Sequence, residues 1–491
     1  MAPARPSRAG VDLALGALAA LVLAAAALAF PPRPFGDAAE YLLMAESWAA
    51  HGSPEVRPSD VEALRRRAAA SGLAVHPEDA LGNYFQGDDR RSYSYHFWAY
   101  ALSTMPARLA LRALGADELR AFPLTNALAF AAAIAAVLVA APATAFARRA
   151  AAALLATSPA LGFVLWPHPE VLSFAAATMA VVAGARGATG TAALCAAVAS
   201  TQNPPLVLLV AFEVCRPLLS GSWPRWTART WAALGLAALV ALASPLFYLA
   251  LFSTPSMVAG QATGVQPVSI GRALGLLFDL ELGLVRYAPA TVALLLGLVP
   301  RMARGPARGL ETGLFALLGL MMLASSATGN WNHGTTGPSR YVVWLFPLVA
   351  YLLALGPTAS RLLAAPGRAY RALLVAAVAA QVVVAAARGG VLSPPDYLEH
   401  STAARAVLDR HPSWYDPDEE VFRERTAHTE ATLDGPFIHE RAGRCRKALA
   451  RWKHAGTLRA RCGALPDRAR PFFDSRPPRE EKSRWIYVDY P

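Results

Sequence analysis

The chain has 491 residues, 55% of them hydrophobic and 16% charged, with a mean hydropathy of +0.33; ordinary soluble domains carry about a quarter charged residues, so the composition excludes a soluble enzyme and indicates an integral membrane protein. The formal charge of +12 is almost wholly arginine, since lysine occurs only at Lys447, Lys453 and Lys482. With the heavy alanine content this bias fits a GC-rich bacterial genome, and without a zinc-type cysteine cluster or a nucleic-acid module it excludes nucleic acid as a partner.

The first apolar segment, 11–30, follows Arg5 and Arg8 and reaches the roughly 20 residues needed to cross a bilayer. No small-x-small cleavage site precedes the charged segment after it, so it is expected to stay as a first helix with its N-terminus in the cytoplasm. Further apolar segments at 119–146, 150–165, 171–185, 190–202, 204–219, 230–252, 286–300, 310–327, 341–357 and 371–388 give an α-helical polytopic membrane protein of about 11 transmembrane helices. The loops this places in the cytoplasm all carry arginine: Arg148 and Arg149, then Arg186, then Arg216, Arg225 and Arg229, then Arg301, Arg304 and Arg308, then Arg361, Arg368 and Arg371. That is the positive-inside pattern, and an odd number of helices puts the C-terminus outside.

Two outside segments are long. The first extracytoplasmic loop, 31–118, carries a charged helical stretch, "DVEALRRRAAASG", and then an aromatic run with Tyr84, Phe85, Tyr93, Tyr95, Phe97, Trp98 and Tyr100. Such rings suit a helix lying in the membrane interface. Residues 1–388 thus form the transmembrane domain. The polar, proline-rich stretch 389–491 reads as a small soluble extracytoplasmic domain whose Trp414, Tyr415, Asp416 and Glu420 are expected to pack it onto the membrane core, with carbohydrate binding as the alternative. Cys445 and Cys462 fall in that domain, where a disulfide is permitted and would stabilise by about 3 kcal/mol. Cys195 and Cys215 lie in apolar spans and are expected to be buried thiols.

Chemistry-bearing residues gather on the outer side. Asp37 and Glu40 open the first loop and, three residues apart on a helix, share a face; for both, a helix-capping role competes with a functional one. In "WPHPEVLSF", His168 and Glu170 flank Pro169 and can face one outer cavity, where imidazole and carboxylate suit a divalent ion. "GNWNHGTTGPSRY" supplies His333 and Arg340 in a small, polar stretch that lets the backbone approach a ligand. Arg286 and Arg340 both fall at outer helix ends, against the positive-inside bias. Arginine there suits a phosphate through bidentate, charge-assisted hydrogen bonds, with snorkelling to headgroups as the plainer role.

These residues resemble the GT-C glycosyltransferases that use polyprenyl-phosphate sugars, such as protein O-mannosyltransferases and the lipid A aminoarabinose transferase. "GDAAEYLLMAESWAAHG" is similar to their first-loop acid motif, "GADELRAFPLTNAL" to the entry of helix two, Glu170 to the acid of the second outer loop, and "GPSRYVVWLFP" to the late helix opening. The resemblance runs over roughly residues 11 to 357. It departs where Ala38 and Ala39 separate the two acids and where the interface segment lacks a Pro-Pro pair.

The resemblance implies a GT-C-like membrane fold in a bacterial cytoplasmic membrane. It implies an inverting transferase that moves a sugar from a polyprenyl-phosphate donor to an envelope glycan, lipid or protein. Asp37, with Glu40, would be the catalytic base, and Arg286 and Arg340 would hold the donor phosphate. Glu170, His168, His96 and His333 would orient the acceptor or bind a divalent metal ion, the one cofactor expected. Two alternatives stand beside it: a transporter or flippase of a polyprenyl-linked lipid, for which "STQNPPLV" suits a broken helix, and a non-catalytic relative that binds the envelope.

Overall fold

A computed structural model describes residues 8–221, 223, 226–261, 263–264, 267–305, 307–332, 337–364, 367–387, 397–431, 433–475 and 482–490. Arg225 and His333 lie outside these residues. Runs of Ala and Leu, the strongest helix formers, build the membrane-embedded part, and prolines set its breaks: Pro159, Pro204, Pro289 and Pro357 each stand at the start of a new helical segment.

Helix occupies part of each of the eleven apolar segments, but among the described residues six helices are long and apolar enough to cross a membrane: Gly10–Ala29, Glu118–Ala140, Ala228–Phe252, Arg308–Ser325, Arg340–Ala364 and Arg368–Ala387. Glu170–Ala185 and Thr189–Ser200 are shorter apolar helices. This is a helical membrane protein. The difference from eleven spans arises where proline divides or shortens a segment: in 150–165 the helix ends at Ala156 before Pro159, and 286–300 breaks at Ala288 before Pro289.

Arg8–Ala29 packs along Ala121–Ala140, which in turn contacts Glu170–Ala185. Phe130 and Phe174 stack 5.2 Å apart between the latter two. The buried stripe of Arg340–Ala350, from Tyr341 to Ala350, fills the middle of the bundle against Glu170–Ala185. Asp12, buried near the start of the first helix, receives Arg148 Nη2 at 2.7 Å and Arg149 Nε at 2.8 Å. Arg216 is not a loop residue as expected. It is buried within Val207–Leu219, where Glu213 one turn earlier satisfies it at 2.6 and 2.7 Å. Cys215, on the same helix, is exposed instead of buried, and Cys195 is half-buried.

The first loop forms a layer of its own. Ala38–His51 and Pro58–Ala70 pack around Tyr41, Leu43, Met44 and Leu64. The aromatic run does not lie down as one interface helix. Its polar interruption Gly87–Arg90 turns the chain, with Arg90 at φ 65, so that Tyr84–Gln86 and Ser92–Ser94 pair as an antiparallel hairpin. The rings then dock inward: Tyr93, Phe97 and Trp98 each meet Phe247 of Ala228–Phe252, with centroids 5.7, 5.7 and 6.1 Å away.

The C-terminal residues build a three-stranded antiparallel sheet in the order Phe437–Arg441, Arg444–Ala450, Ile486–Asp489. Cys445 of the central strand is joined to Cys462 at the end of helix Ala455–Cys462. Lys447 is buried beneath the sheet and donates to Asp489 at 2.6 Å and to the Pro412 carbonyl at 2.8 Å.

Candidate functional site

Gly36, at φ 50, turns the chain out of the first helix and places Asp37 at the N-cap of Ala38–His51. Asp37 makes no capping hydrogen bond there. Its Oδ2 receives Arg340 Nη1 at 3.1 Å, with His168 Nε2 at 3.5 Å and His96 Nε2 at 3.8 Å. Glu40 is not a cap either. It is buried, and its carboxylate accepts Asn83 Nδ2 at 2.6 Å and Ser94 Oγ at 3.0 Å, with His96 Nδ1 at 3.0 Å. The hairpin is therefore what holds Glu40 and His96 in place.

The 157–169 connection is fixed by buried polar contacts. Asn126 Nδ2 donates to the Trp166 and Val164 carbonyls at 2.8 and 3.3 Å, while its Oδ1 accepts Tyr100 OH at 2.9 Å. Trp166 Nε1 donates to the Phe35 carbonyl at 2.8 Å, and the indole stacks on His168 at 3.8 Å. Glu170 follows as the first residue of its helix, fully buried, with His168 Nδ1 3.5 Å from Oε1. No well-formed hydrogen bond reaches either Glu170 oxygen, and the donors that face it are the buried Trp344 Nε1 and His168 Nδ1. Arg340 enters from the first turn of Arg340–Ala350, whose N-terminal peptides add partial positive charge.

These positions fix the proton inventory. Burial presses the Asp37 carboxyl upward, but His96 and Arg340 outweigh it and hold it far below the usual carboxylate range. Burial raises Glu40, partly offset by His96 and Asn83. His96 is raised: burial opposes its charge, yet the Glu40 and Asp37 carboxylates on either side prevail. Burial, joined by the Arg340 charge, lowers His168 to about 3 despite Asp37. A neutral His168 agrees with the geometry, since Arg340 Nη1 lies 3.3 Å from Nε2 and can donate only to a nitrogen without a proton. Nδ1–H then points at Glu170.

Asp37, Glu40, His96, His168, Glu170 and Arg340, drawn from four separated stretches of sequence, thus meet in one cluster. The described contacts of that cluster do not include Arg286, which donates to the Glu281 carbonyl at 2.7 Å and lies over the Tyr287 ring. Asn83, Ser94, Asn126 and Trp344 belong to the site without having been singled out by the sequence. They are ordinary polar and aromatic residues, and only the fold reveals what they face.

Among the described residues no group of three or more His, Cys, Asp and Glu is arranged to hold a metal ion. The position between Asp37 and His168 is taken by the Arg340 guanidinium, whose charge repels a second cation. Comparison with protein-family models, curated proteins and solved structures returned no match.

Asp37 differs from the other two acids in access. Its side chain keeps 24% of its surface exposed, against 1% for Glu40 and for Glu170. An ionised, accessible carboxylate beside a guanidinium can take a proton from a hydroxyl while the guanidinium meets an anion.

Proposed function

We propose that the protein is a membrane glycosyltransferase that moves a sugar from a polyprenyl-phosphate donor to an envelope acceptor. In this reading it works on the outer face of a bacterial cytoplasmic membrane, with the N-terminus inside and the C-terminal domain outside. The observation that carries the reading is the Asp37–Arg340 pair, at 3.1 Å, at the more exposed side of a largely buried acid cluster. The acceptor oxygen attacks the anomeric carbon, and the carbon–oxygen bond to the phosphate breaks with its electron pair leaving on the phosphate. The acceptor proton passes to Asp37. Arg340 stabilises the departing phosphate, where charge develops in the transition state.

The same pair supports a form of substrate control. While His96 and Arg340 both lie beside Asp37 the carboxylate is a weak base, because together they hold its pKa low. A donor phosphate competes for the guanidinium, relaxes that hold and strengthens the base only when the donor is bound.

The test uses wild type and Asp37→Asn in nanodiscs, with radiolabelled undecaprenyl- and decaprenyl-phosphate sugars and an envelope extract as acceptor. Release of polyprenyl phosphate by wild type should fall by about 10²–10⁴-fold in the variant. No release from any donor, with lipid still bound by both proteins, would overturn the transferase reading in favour of a lipid transporter or binding protein.

A further inference from the structure

An apolar groove of about 650 Å³ opens between helices Pro289–Arg304 and Arg368–Ala387, running from Ala290 to Arg301. Its position follows from the chain: Arg308–Ser325 starts beside the end of Pro289–Arg304 and runs its full length before the chain returns toward Arg340. Small residues such as Gly297 leave the hollow, Leu294, Leu298 and Leu373 line it, and Arg301 stands at its mouth. The volume is that of a ligand pocket, about 300–1,000 Å³.

From Ala290 to Arg301 the wall rises about 16 Å along the helix. Half the hydrocarbon thickness of a bilayer is about 15 Å. One acyl chain of a single leaflet therefore matches the groove in length, with its headgroup at Arg301.

The mouth is strongly basic. Arg301 lines it, Arg368 and Arg371 flank its lining residues Gly367, Ala369 and Tyr370 in the chain, Arg304, Arg308 and Arg361 follow close by in sequence, and the one acid between 301 and 371, Glu311, is buried and accepts the Thr358 N–H and hydroxyl at 2.6 and 2.7 Å. Among the described residues none of the six arginines forms an ion pair with a carboxylate. Orientation in the membrane asks only for arginine in the loops. Arg301 instead lies on the groove wall and folds one donor back to the Gly297 carbonyl at 3.1 Å, keeping its charge at the opening.

We infer that this groove is a specific site for an anionic glycerophospholipid of the cytoplasmic leaflet, with one acyl chain between the helices and the phosphate on Arg301 and its neighbours. Basic recesses between helices on the cytoplasmic side bind anionic headgroups in this way. The inference is independent of the transferase reading.

Native mass spectrometry of the full chain in detergent tests it, with phosphatidylglycerol and phosphatidylcholine of identical acyl chains. Wild type should retain phosphatidylglycerol over phosphatidylcholine, and Arg301→Ala should bring the former down about tenfold. Gly297→Leu, whose first side-chain atom meets nothing within 4 Å, should fill the groove and weaken phosphatidylglycerol to a similar degree. Glycerol 3-phosphate should not compete. Equal retention of the two lipids by wild type, undiminished binding in either variant, or full competition by glycerol 3-phosphate would each overturn the site.

Discussion

Asp37 and Glu40 sit one helical turn apart, yet Asp37 is accessible and tied to Arg340 while Glu40 is enclosed by Asn83, Ser94 and His96. His96 links the two, and its pKa is raised above the ordinary value of about 6.5. A raised histidine contributes stability that is fully present below its unfolded pKa and is lost as pH rises through the folded one. Thermal unfolding of wild type and His96→Gln should therefore differ most below about pH 6.5 and converge as pH rises above it; a gap that widens with pH would refute the assignment. Glu170 offers a second contrast. A fully buried carboxyl with neither oxygen in a well-formed hydrogen bond costs about 1–3 kcal/mol, more than the few tenths to 1 kcal/mol that a helix N-terminus returns. Glu170→Met should raise the melting temperature while lowering transfer, and a fall in melting temperature would show that the carboxyl is structural.

At the scale of the element, Gly184 marks where Glu170–Ala185 crosses Val207–Leu219. A Cβ there would overlap Glu213 Oε2 and press on Arg216 Nε at 2.7 Å, and these two form a buried pair within the membrane region. Separating such a pair costs about 3–5 kcal/mol, so Gly184→Ala should sharply reduce the yield of folded protein. Gly235→Ala, on a helix with nothing within 4 Å of the added carbon, should leave the yield unchanged. Equal yields would mean the crossing has room the geometry does not show. Neither behaviour is visible in the sequence, where both glycines interrupt similar alanine-rich runs. What the sequence does disclose is periodic or compositional: the helical character of the apolar segments, the Pro58–Ala70 helix, and the acids that open the first loop. It misleads at the aromatic run, because seven rings in seventeen positions look alike whether they settle in lipid headgroups or dock on Phe247. Only the turn at Gly87–Arg90 decides between them. Glu40 shows the same limit, since its partners Asn83 and Ser94 lie over 40 residues away.

At the scale of the whole molecule, a second acid cluster joins the C-terminal domain to the membrane-embedded part. Buried Glu281 receives Arg425 Nη1 at 3.0 Å and the Ser401 N–H at 2.7 Å, with His400 Nδ1 at 2.6 Å. Arg425 also donates to Asn332 Oδ1 at 2.9 Å, and Glu420 accepts the backbone N–H groups of Trp331 and Asn332. That segment precedes Arg340 in the chain, so the domain fixes the approach to the residue that meets Asp37. Although burial opposes it, His400 and Arg425 hold the Glu281 pKa below its ordinary value, so its stabilisation is present above about pH 4.3 and is lost only as pH falls below that. Removing Arg425 at neutral pH leaves the carboxylate buried with its main cationic partner gone, a loss of about 3–5 kcal/mol. Arg425→Met should accelerate hydrogen exchange at Trp331 and Asn332 and slow transfer, whereas exchange at Phe130 and Phe174 in the bundle should hold. Adding Glu281→Leu should restore part of the lost stability, because an empty apolar site is cheaper than a lone buried charge. Exchange that rises equally in the bundle would mean the domain supports the entire fold, and unchanged exchange at Trp331 would mean it supports none of the approach to Arg340.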